Sequence, residues 1–460
     1  MLSTLAAQVA GLVRTNWVTE VTERGEAVAL WREYERGEHR AEMTTEMRQM
    51  LRIADSRAGR QFNANYCDMV IQTMADRLTV IGIEGDNDAA TAWSAALLAD
   101  NRFDGLQMDA IAASLRDGIT FVMVGWDNDA QRVTLTHELA WDGTTGVIPI
   151  YDRANKTLIA AFKIWYEGEN DARRVNLYYP DRIEKYVMGV GGGMSAMEDS
   201  LPWTDTAGAP LGVPLIALAN RARTASPLGT SEIDMVVPLQ DALNRTLVSM
   251  VMTCELAGFP VRIALGFMPP SNITPASWLA IGNGAAISKD QQVAWGVMES
   301  ASLVPFISQS EFLIDQIGEV SRTPLSRNGA SSAASGESLK QREVKLVSKA
   351  YQYQVKAGNA FEDMIEMAGR VGAAFGTTIP PVSGRWSCKW AAAELRNDAE
   401  TVANVIATRE IMGDEQALRQ LARVFGWDAP EVARILAAQQ TARTSMLSAV
   451  LDRTPRFGAL

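Results

Sequence analysis

The chain has 460 residues, 47% of them hydrophobic, and a formal net charge of −11. That length exceeds what one hydrophobic core usually organises, so two or more domains are expected. The negative balance argues against a sequence-specific DNA binder, whose affinity comes from Lys and Arg displacing counterions.

Residues 1–117 read mostly as helix: Val18 to Tyr34, Arg60 to Arg77, Ala89 to Leu98 and Gly105 to Arg116. A β-branched run, Arg77-Leu-Thr-Val-Ile-Gly-Ile, interrupts them as a short strand. From Gly118 to Met188 the period moves towards two, with strands expected at 119–126, 132–138, 157–166 and 174–179. Asp127-Asn128-Asp129 and Gly168-Glu169-Asn170 supply turns between them. Gly189-Val-Gly-Gly-Gly has no helix after it, so it reads as a hairpin end and not as a phosphate loop. No GxxxxGK[ST] occurs, so the chain carries no P-loop for burning ATP.

Three helices follow, and their order is the most informative feature of the chain. Gly229-Thr230-Ser231 gives a turn and an N-cap candidate, with Asp234 in capping-box position, and the main rod begins or kinks at Pro238 and runs to Ala257. Gly258 and Pro260 stop it. After a small β/α excursion, a second rod opens on the capping box Ser308-Gln309-Ser310-Glu311 and closes before Pro324. Leu313, Ile317 and Val320 share one of its faces; Glu311, Asp315 and Glu319 recur every fourth residue along another. Like charges so spaced destabilise an isolated helix, so something outside the helix favours the acidic row.

Past Pro324 the stretch LSRNGASSAASG has almost nothing to bury. A third, longer helix starts near Ser335 with a seam of Leu339, Leu346, Ala350, Tyr353, Ala357, Ala360, Met364 and Val371, broken at Glu343. Beside the seam, Arg342, Lys345, Lys349 and Lys356 form a basic stripe. VSGRWSCKW reads as a strand, and 398–411, 414–425 and 428–451 as helices, the last capped by Asp428 with Glu431.

These residues carry a resemblance. LGVPLIALANR…GTSEIDMVVPLQDALNRTLVSM, followed by an insert, a second rod, a small-residue loop and a long helix, resembles the portal proteins of tailed bacteriophages, particularly those of siphophages. WREYERGEHR at 31–40, NANYCDMVIQTMADRLTVIGI at 63–83 and DGITFVMVGWD at 117–127 agree with it, so it covers nearly the whole chain, mostly through apolar and turn residues. It implies an α+β, mainly helical portal fold: a wing over 1–230, stem helix 1 over 231–257, a clip over 258–303, stem helix 2 over 304–324, a tunnel loop over 325–337, a long helix and a return strand of the wing over 338–397, and a helical crown over 398–460.

It further implies a dodecameric ring at one capsid vertex of the virion, assembled in the host cytoplasm, through which DNA is packaged and ejected. Its partners would be double-stranded DNA held without sequence preference, the large terminase, then a head-tail adaptor, the major capsid protein and a scaffolding protein. Such a ring would carry about −130 in net charge, which suits weak contact with a moving polyanion.

Under that resemblance Ser326, Arg327, Asn328, Gly329, Ser331, Ser332 and Ser335 are the loop residues that would meet DNA. An ordinary surface linker has the same composition. Glu311, Asp315 and Glu319 have two readings, a lumen wall that repels phosphate or a paired or solvated face, for example opposite Arg245 of a neighbouring rod. Arg342, Lys345, Lys349 and Lys356 either touch phosphate or bridge to neighbouring copies. Trp278 and Trp295 either anchor a clip interface or fill the clip's own small core.

Nothing in the sequence assembles catalysis. His39 and His137 have no second ligand at metal spacing, and the serines have no base, so neither enzyme activity nor a metal or cofactor is expected. Cys67, Cys254 and Cys388 are widely spaced in apolar settings, which suggests reduced, buried thiols. Met1 to Trp17 shows no signal peptide, and Leu247 to Phe259 is too short to cross a bilayer, so no membrane partner is expected. Two rivals remain, a structural subunit of some other assembly and a metal-dependent hydrolase.

Overall fold

In the computed structural model the chain divides into two units, Met1–Ala393 and Glu394–Leu460. The structure describes residues 1–39, 64–152, 157–167, 172–189, 193–221, 227–258, 262–265, 294–297, 302–325, 336–376, 381 and 383–394, and in the second unit 402, 405–408, 413–425, 432 and 434–438.

The first unit opens with helices α1 (Leu2–Gln8), α2 (Trp17–Glu35) and α3 (Tyr66–Ala75), then strand β1 (Val80–Gly85) and helices α4 (Asp88–Asp100) and α5 (Phe103–Asp117). Asn65 and Asn87 cap α3 and α4, their side chains accepting from the amides of Asp68 and Ala90. Gly118, at φ 78°, ends α5 in the left-handed region that an L side chain rarely adopts, and the chain turns at once into β2 (Ile119–Asp127).

Strand β2 pairs with β3 (Arg132–Glu138) and, on its other edge, with β10 (Leu215–Ala219). A second antiparallel sheet runs β4 (Gly146–Tyr151), β5 (Leu158–Glu167), β6 (Ala172–Tyr178), β7 (Arg182–Met188) and β8 (Met194–Ala196), with β9 (Leu201–Pro202) also on β7. Periodicity misses β4 because Pro149 sits inside its run. It is an edge strand, where a residue lacking its N–H is tolerated.

Three buried clusters hold these layers. One lies between α1, α2 and the larger sheet around Leu5, Trp17, Phe162, Ile164 and Leu177, and a second lies around Phe121, Val147, Ala161 and Leu215. The third and largest is organised on α8 (Gly336–Phe375), 40 residues or about 60 Å of helix. Leu346, Ala350, Tyr353, Ala357, Phe361, Met364, Ala368 and Val371 are buried along it, so the seam read from the sequence is its core face. Glu343, the break in that seam, is an ion-pair partner of Arg77 at 3.4 Å. Strand β13 (Trp386–Trp390) pairs antiparallel with β1, so VSGRWSCKW closes a sheet with a stretch 300 residues earlier.

The two rods are α6 (Val237–Gly258) and α7 (Val304–Ser321), packed on each other. Between them β11 (Arg262–Leu265) and β12 (Ala294–Val297) pair antiparallel, so the chain goes out along α6 and returns along α7. Rod α6 starts one residue before Pro238, as a proline in the first turn allows. Rod α7 differs from the capping-box reading: it opens at Val304 with Pro305 in its first turn, and Ser302 Oγ accepts from the Val304 amide, leaving Ser308 to Glu311 inside the helix. The second unit contains α9 (Asp414–Phe425); the helices expected at 398–411 and 428–451 fall largely outside the described residues.

Burial of the thiols is uneven. Cys67 is buried and its pKa is pushed up to about 12 by desolvation, as is that of half-buried Cys388. Cys254, expected to be buried, is exposed because it lies on the outward part of α6.

Candidate functional site

The feature that positions the rods is the place where both leave the body of the chain. Glu232, at the entry to α6, has a fully buried carboxylate. Its Oε1 accepts from Asn220 Nδ2 at 2.9 Å, and its Oε2 accepts from the Arg221 guanidinium at 2.7 Å and from Lys349 Nζ at 2.9 Å. Lys349 Nζ donates also to the carbonyl of Ser321, the last residue of α7, at 2.8 Å. One carboxylate therefore ties together the end of β10, the start of α6, the finish of α7 and the long helix α8. Burial pushes the Lys349 pKa down, and the charge of Glu232 opposes that shift.

Backbone geometry makes room for this arrangement. Gly229 has φ 64°, and a Cβ there would stand 2.3 Å from the carbonyl oxygens of both Asn220 and Gly118. The Asn220 amide donates to Gly118 O and the Thr230 amide to Asn220 O, each at 2.9 Å. Only glycine lets these three segments approach so closely.

A second ionic group lies beneath. The buried Asp117 carboxylate accepts from Arg32 and Arg116, and Arg32 also reaches Asp142 at 2.7 Å and the Ala140 carbonyl at 2.8 Å. Arg116 pairs with Glu35 at 3.0 Å. Arg24 donates to the carbonyls of Asp117 and Leu228 at 2.7 and 3.0 Å, which joins α2 to the segment entering α6.

The other side of the α6 base is held by amides. Gln240 accepts from the Tyr66 amide at 2.9 Å and donates to Ala64 O at 2.6 Å. Asn244 accepts from the Ala64 amide at 3.0 Å and donates to His39 Nε2 at 2.9 Å, while Tyr34 donates to Asp241 at 2.6 Å and stacks on His39. Desolvation lowers the His39 pKa and raises that of Tyr34.

WREYERGEH, ANYCDMV, DGITFV, IALANR and GTSEIDMVVPLQDALNR are thus five stretches that meet at one joint. Several of their side chains are buried charged or amide groups and not only apolar and turn residues. Sequence reading missed Glu232, Asn220, Gln240 and Asn244. The available signal was a Glu, an Asn and two amides inside otherwise apolar, turn-bounded segments.

Among the residues singled out earlier, Lys349 is a correction. It belongs to no exposed stripe, because it is buried inside its own chain on Glu232, so it meets neither phosphate nor a neighbouring copy. Lys345 is exposed and pairs with Glu319 at 2.6 Å, which brings one member of the basic stripe onto one member of the acidic row. Lys356, Glu311 and Asp315 are exposed. The Arg342 backbone is in α8, and its side chain lies outside the described residues. Outside them too are Ser326, Arg327, Asn328, Gly329, Ser331, Ser332, Ser335 and Trp278. Trp295 is in β12 opposite Ala264, with its side chain also outside them.

Among the described residues no group of three or more His, Cys, Asp or Glu could hold a metal ion, and no helix is long and apolar enough to cross a membrane. What the joint does is mechanical: it fixes one end of an out-and-back pair of rods and leaves the other end projecting. The architecture is α+β and mainly helical.

Comparison with known proteins gives the family. The family described as "Phage portal protein, SPP1 Gp6-like" matches residues 24–445, and the chain belongs to it. Portal proteins of Mycobacterium phages D29 and L5 are 25% and 24% identical over 298 and 279 residues, covering 59% and 58% of this chain. The match spans 59% and 54% of the length of those relatives. A solved chain titled "Neck of native GTA particle computed with C12 symmetry" is 10% identical, with 83% of this chain and 95% of that one covered, at a TM-score of 0.48. A likeness that distant adds nothing to the family assignment.

Proposed function

We propose that the chain is the subunit of a homo-oligomeric ring, dodecameric in the virion, that sits at one capsid vertex and passes double-stranded DNA along its axis during packaging and ejection. The observation that carries the reading is the out-and-back pair α6 and α7, fixed at one end by the buried carboxylate of Glu232 and exposed along its outward faces, in a chain of the portal family. Repeated around an axis, such pairs make a wall whose position each copy's joint sets rigidly.

In this reading residues 1–230 are the wing, 231–257 and 304–324 the stem, 258–303 the clip, 325–337 the tunnel loop, 338–397 the long helix and return strand, and 398–460 the crown. The clip, with Trp278 and Trp295, offers the docking surface for the large terminase and then for the head-tail adaptor. Wing and crown seat the ring against the major capsid protein and a scaffolding protein. Small residues of the loop, Ser326 to Ser335, with Arg327 as the charge among them, meet DNA without reading its sequence. The subunit works by geometry and electrostatics and not as an enzyme.

Glu311, Asp315 and Glu319 are assigned to a face other than the lumen, since an exposed charge row on a helix is ordinarily solvated or paired and Glu319 has a lysine partner within the chain. Reversal of all three to Lys is expected to leave the channel passable to DNA; a block in packaging with rings intact would return them to the lumen.

Electron-microscopic end views of the purified protein test the whole reading. A closed ring of uniform symmetry with a hole wide enough for duplex DNA is expected. Solid particles or open filaments would favour a subunit of another assembly, and turnover of DNA on addition of a divalent metal would favour a hydrolase.

A further inference from the structure

The two sheets of the first unit close on one buried cluster around Phe121 and Ala161, while α1, α2 and the other face of the larger sheet close on a second around Trp17 and Phe162. Residues of both clusters line a cavity of about 550 Å³ at the seam between them. Its apolar walls include Val13 from the turn before α2, Trp17 and Val21 of α2, Ile148 and Ile150 of β4, and Leu228 of the segment entering α6. Interiors leave few gaps wider than a water molecule, and a cavity of roughly 300–1,000 Å³ with apolar walls and a few polar groups has the form of a small-molecule site.

The polar groups on the wall are unevenly bonded. Of the carboxylates, Glu20 accepts from Asn16 Nδ2 at 2.6 Å and Asp152 is not free either. The cations are less well satisfied. Arg24 gives its bonds to the carbonyls of Asp117 and Leu228, and its Nε is buried without a partner. Arg14, exposed at the rim, has no carboxylate partner among the described residues. The Tyr151 hydroxyl has no hydrogen-bond partner there either, and burial alone pushes its pKa up, so it stays a neutral donor. Such a wall favours an occupant that brings an acceptor, and a negative one above a neutral one.

The same wall does not suit an added strand. On the outer edge of β4 the Val147 amide donates to Leu139 O and its carbonyl accepts from the Trp141 amide, and at the next outward position Pro149 has no N–H to give. The occupant is held by an apolar body and one acceptor-bearing head, not by a ladder of backbone bonds. We propose that the cavity binds a medium-chain monocarboxylate, its hydrocarbon tail among Trp17, Ile148, Ile150 and Leu228 and its carboxylate drawn to the Arg14 guanidinium and the Tyr151 hydroxyl. Because α2, β4 and the segment leading into α6 all contribute walls, the bound molecule braces the approach to the first rod.

Octanoate, octanol and octylamine, each below the concentration at which it forms micelles, are the probes, titrated calorimetrically into the full-length chain. Octanoate is expected to saturate one site per chain and to raise the thermal midpoint as its concentration rises. It should bind roughly tenfold tighter than octanol, which is what a hydrogen bond to a charged group contributes. Absence of saturable binding, equal affinity for acid and alcohol, or tighter binding of the amine would each overturn the proposal.

Two variants locate the site. Val13→Trp, at a half-buried position on the wall, fills the cavity and is expected to abolish octanoate binding with the helical circular-dichroism signal unchanged. Arg14→Gln leaves the apolar walls intact and is expected to weaken octanoate roughly tenfold, to the level of octanol, without altering the affinity for octanol. Arg14 is exposed, so that variant keeps the test standing if Val13→Trp does not fold. A folded Val13→Trp chain that binds octanoate as the unmodified chain does, or an Arg14→Gln chain that keeps its preference for the acid, would overturn the proposal.

Discussion

The two ends of the rods are built on opposite principles. At the joint, Glu232, Lys349, Asp117, Gln240 and Asn244 are buried, and the inner shell of hydrogen bonds runs between segments far apart in sequence. Along the outward faces Phe312, Val304, Glu311 and Cys254 are exposed, and the ion pair of Lys345 with Glu319 is more than half exposed on both sides. The contrast teaches that the chain fixes the direction of its rods internally while leaving their flanks exposed. Stability and assembly are then separable properties of the same two helices.

Glu232→Ala is the strongest way to break that contrast. It leaves the Lys349 ammonium buried without its carboxylate, and costs about 3–5 kcal/mol, as removal of one partner from a buried pair does. Denaturant unfolding should show the loss as a lowered midpoint. Pairing it with Lys349→Met should recover part of the loss, because no lone charge is then left inside. A double variant as unstable as the single one would mean that Arg221 and Asn220, not Lys349, carry the joint.

Gln240→Ala comes next. It strips partners from the Tyr66 amide and the Ala64 carbonyl, for about 2–3 kcal/mol if no water replaces them. The thermal midpoint should fall while the rods stay helical, since the residue chiefly joins α6 to the start of α3 and its side-chain bond within α6 is the one to Asn244 Oδ1 at 3.1 Å. A fall as large as that from Glu232→Ala would place the weight of the joint on its amide side.

Acidification sharpens the comparison from the same side. The His39 pKa is held below its ordinary 6.5 by desolvation, against the opposing charges of Asp241 and Glu33, and Asn244 Nδ2 points at its Nε2. The unfolded chain therefore takes up a proton at higher pH than the folded one, so stability is lost as pH falls below 6.5, by at most about 1.4 kcal/mol per pH unit for each such histidine. His137 is shifted in the same direction, also chiefly by desolvation. Replacement of His39 by Gln should lessen the slope of the thermal midpoint between pH 7 and 5 without abolishing it. An unchanged slope would assign the acid sensitivity elsewhere.

How much of this could be read in the sequence depends on what kind of signal each part leaves. The rods, the long seam of α8 and the strand at Trp386 follow from proline, glycine and 3.6- or 2-residue periodicity, which are local and survive without knowledge of partners. The capping box at Ser308 misleads because Pro305, three residues earlier, had already fixed the first turn. The joint was not legible in the same way. Lys349 continues the basic stripe by spacing, and only the fold puts Glu232, 117 residues away, against its ammonium. A buried ion pair has no periodicity. Its trace in the sequence is a charged residue amid apolar neighbours, and that trace is shared by every solvated surface charge.

The smallest effect on the folded chain belongs to the outward face, and it is the most informative one. Changing Glu311, Asp315 and Glu319 together to Lys removes the exposed pair with Lys345, which is worth about 0–1 kcal/mol. It also replaces one like-charged row with another at the same spacing, so the helix itself gains little strain. Unfolding of the isolated chain should therefore move by less than about 1 kcal/mol, well short of the Glu232 variant. Association should respond differently, because a basic row would then line the exposed flank beside Lys345. Rings are expected to weaken, most at low salt, and to recover when Lys345 and Lys356 are changed to Glu in the same chain. Because the Glu319–Lys345 pair lies within one chain, recovery on that swap is read together with the unfolding of the isolated chain, and a reversal that lowers its stability as much as Glu232→Ala would show that the two ends of the rods are not built on different principles after all.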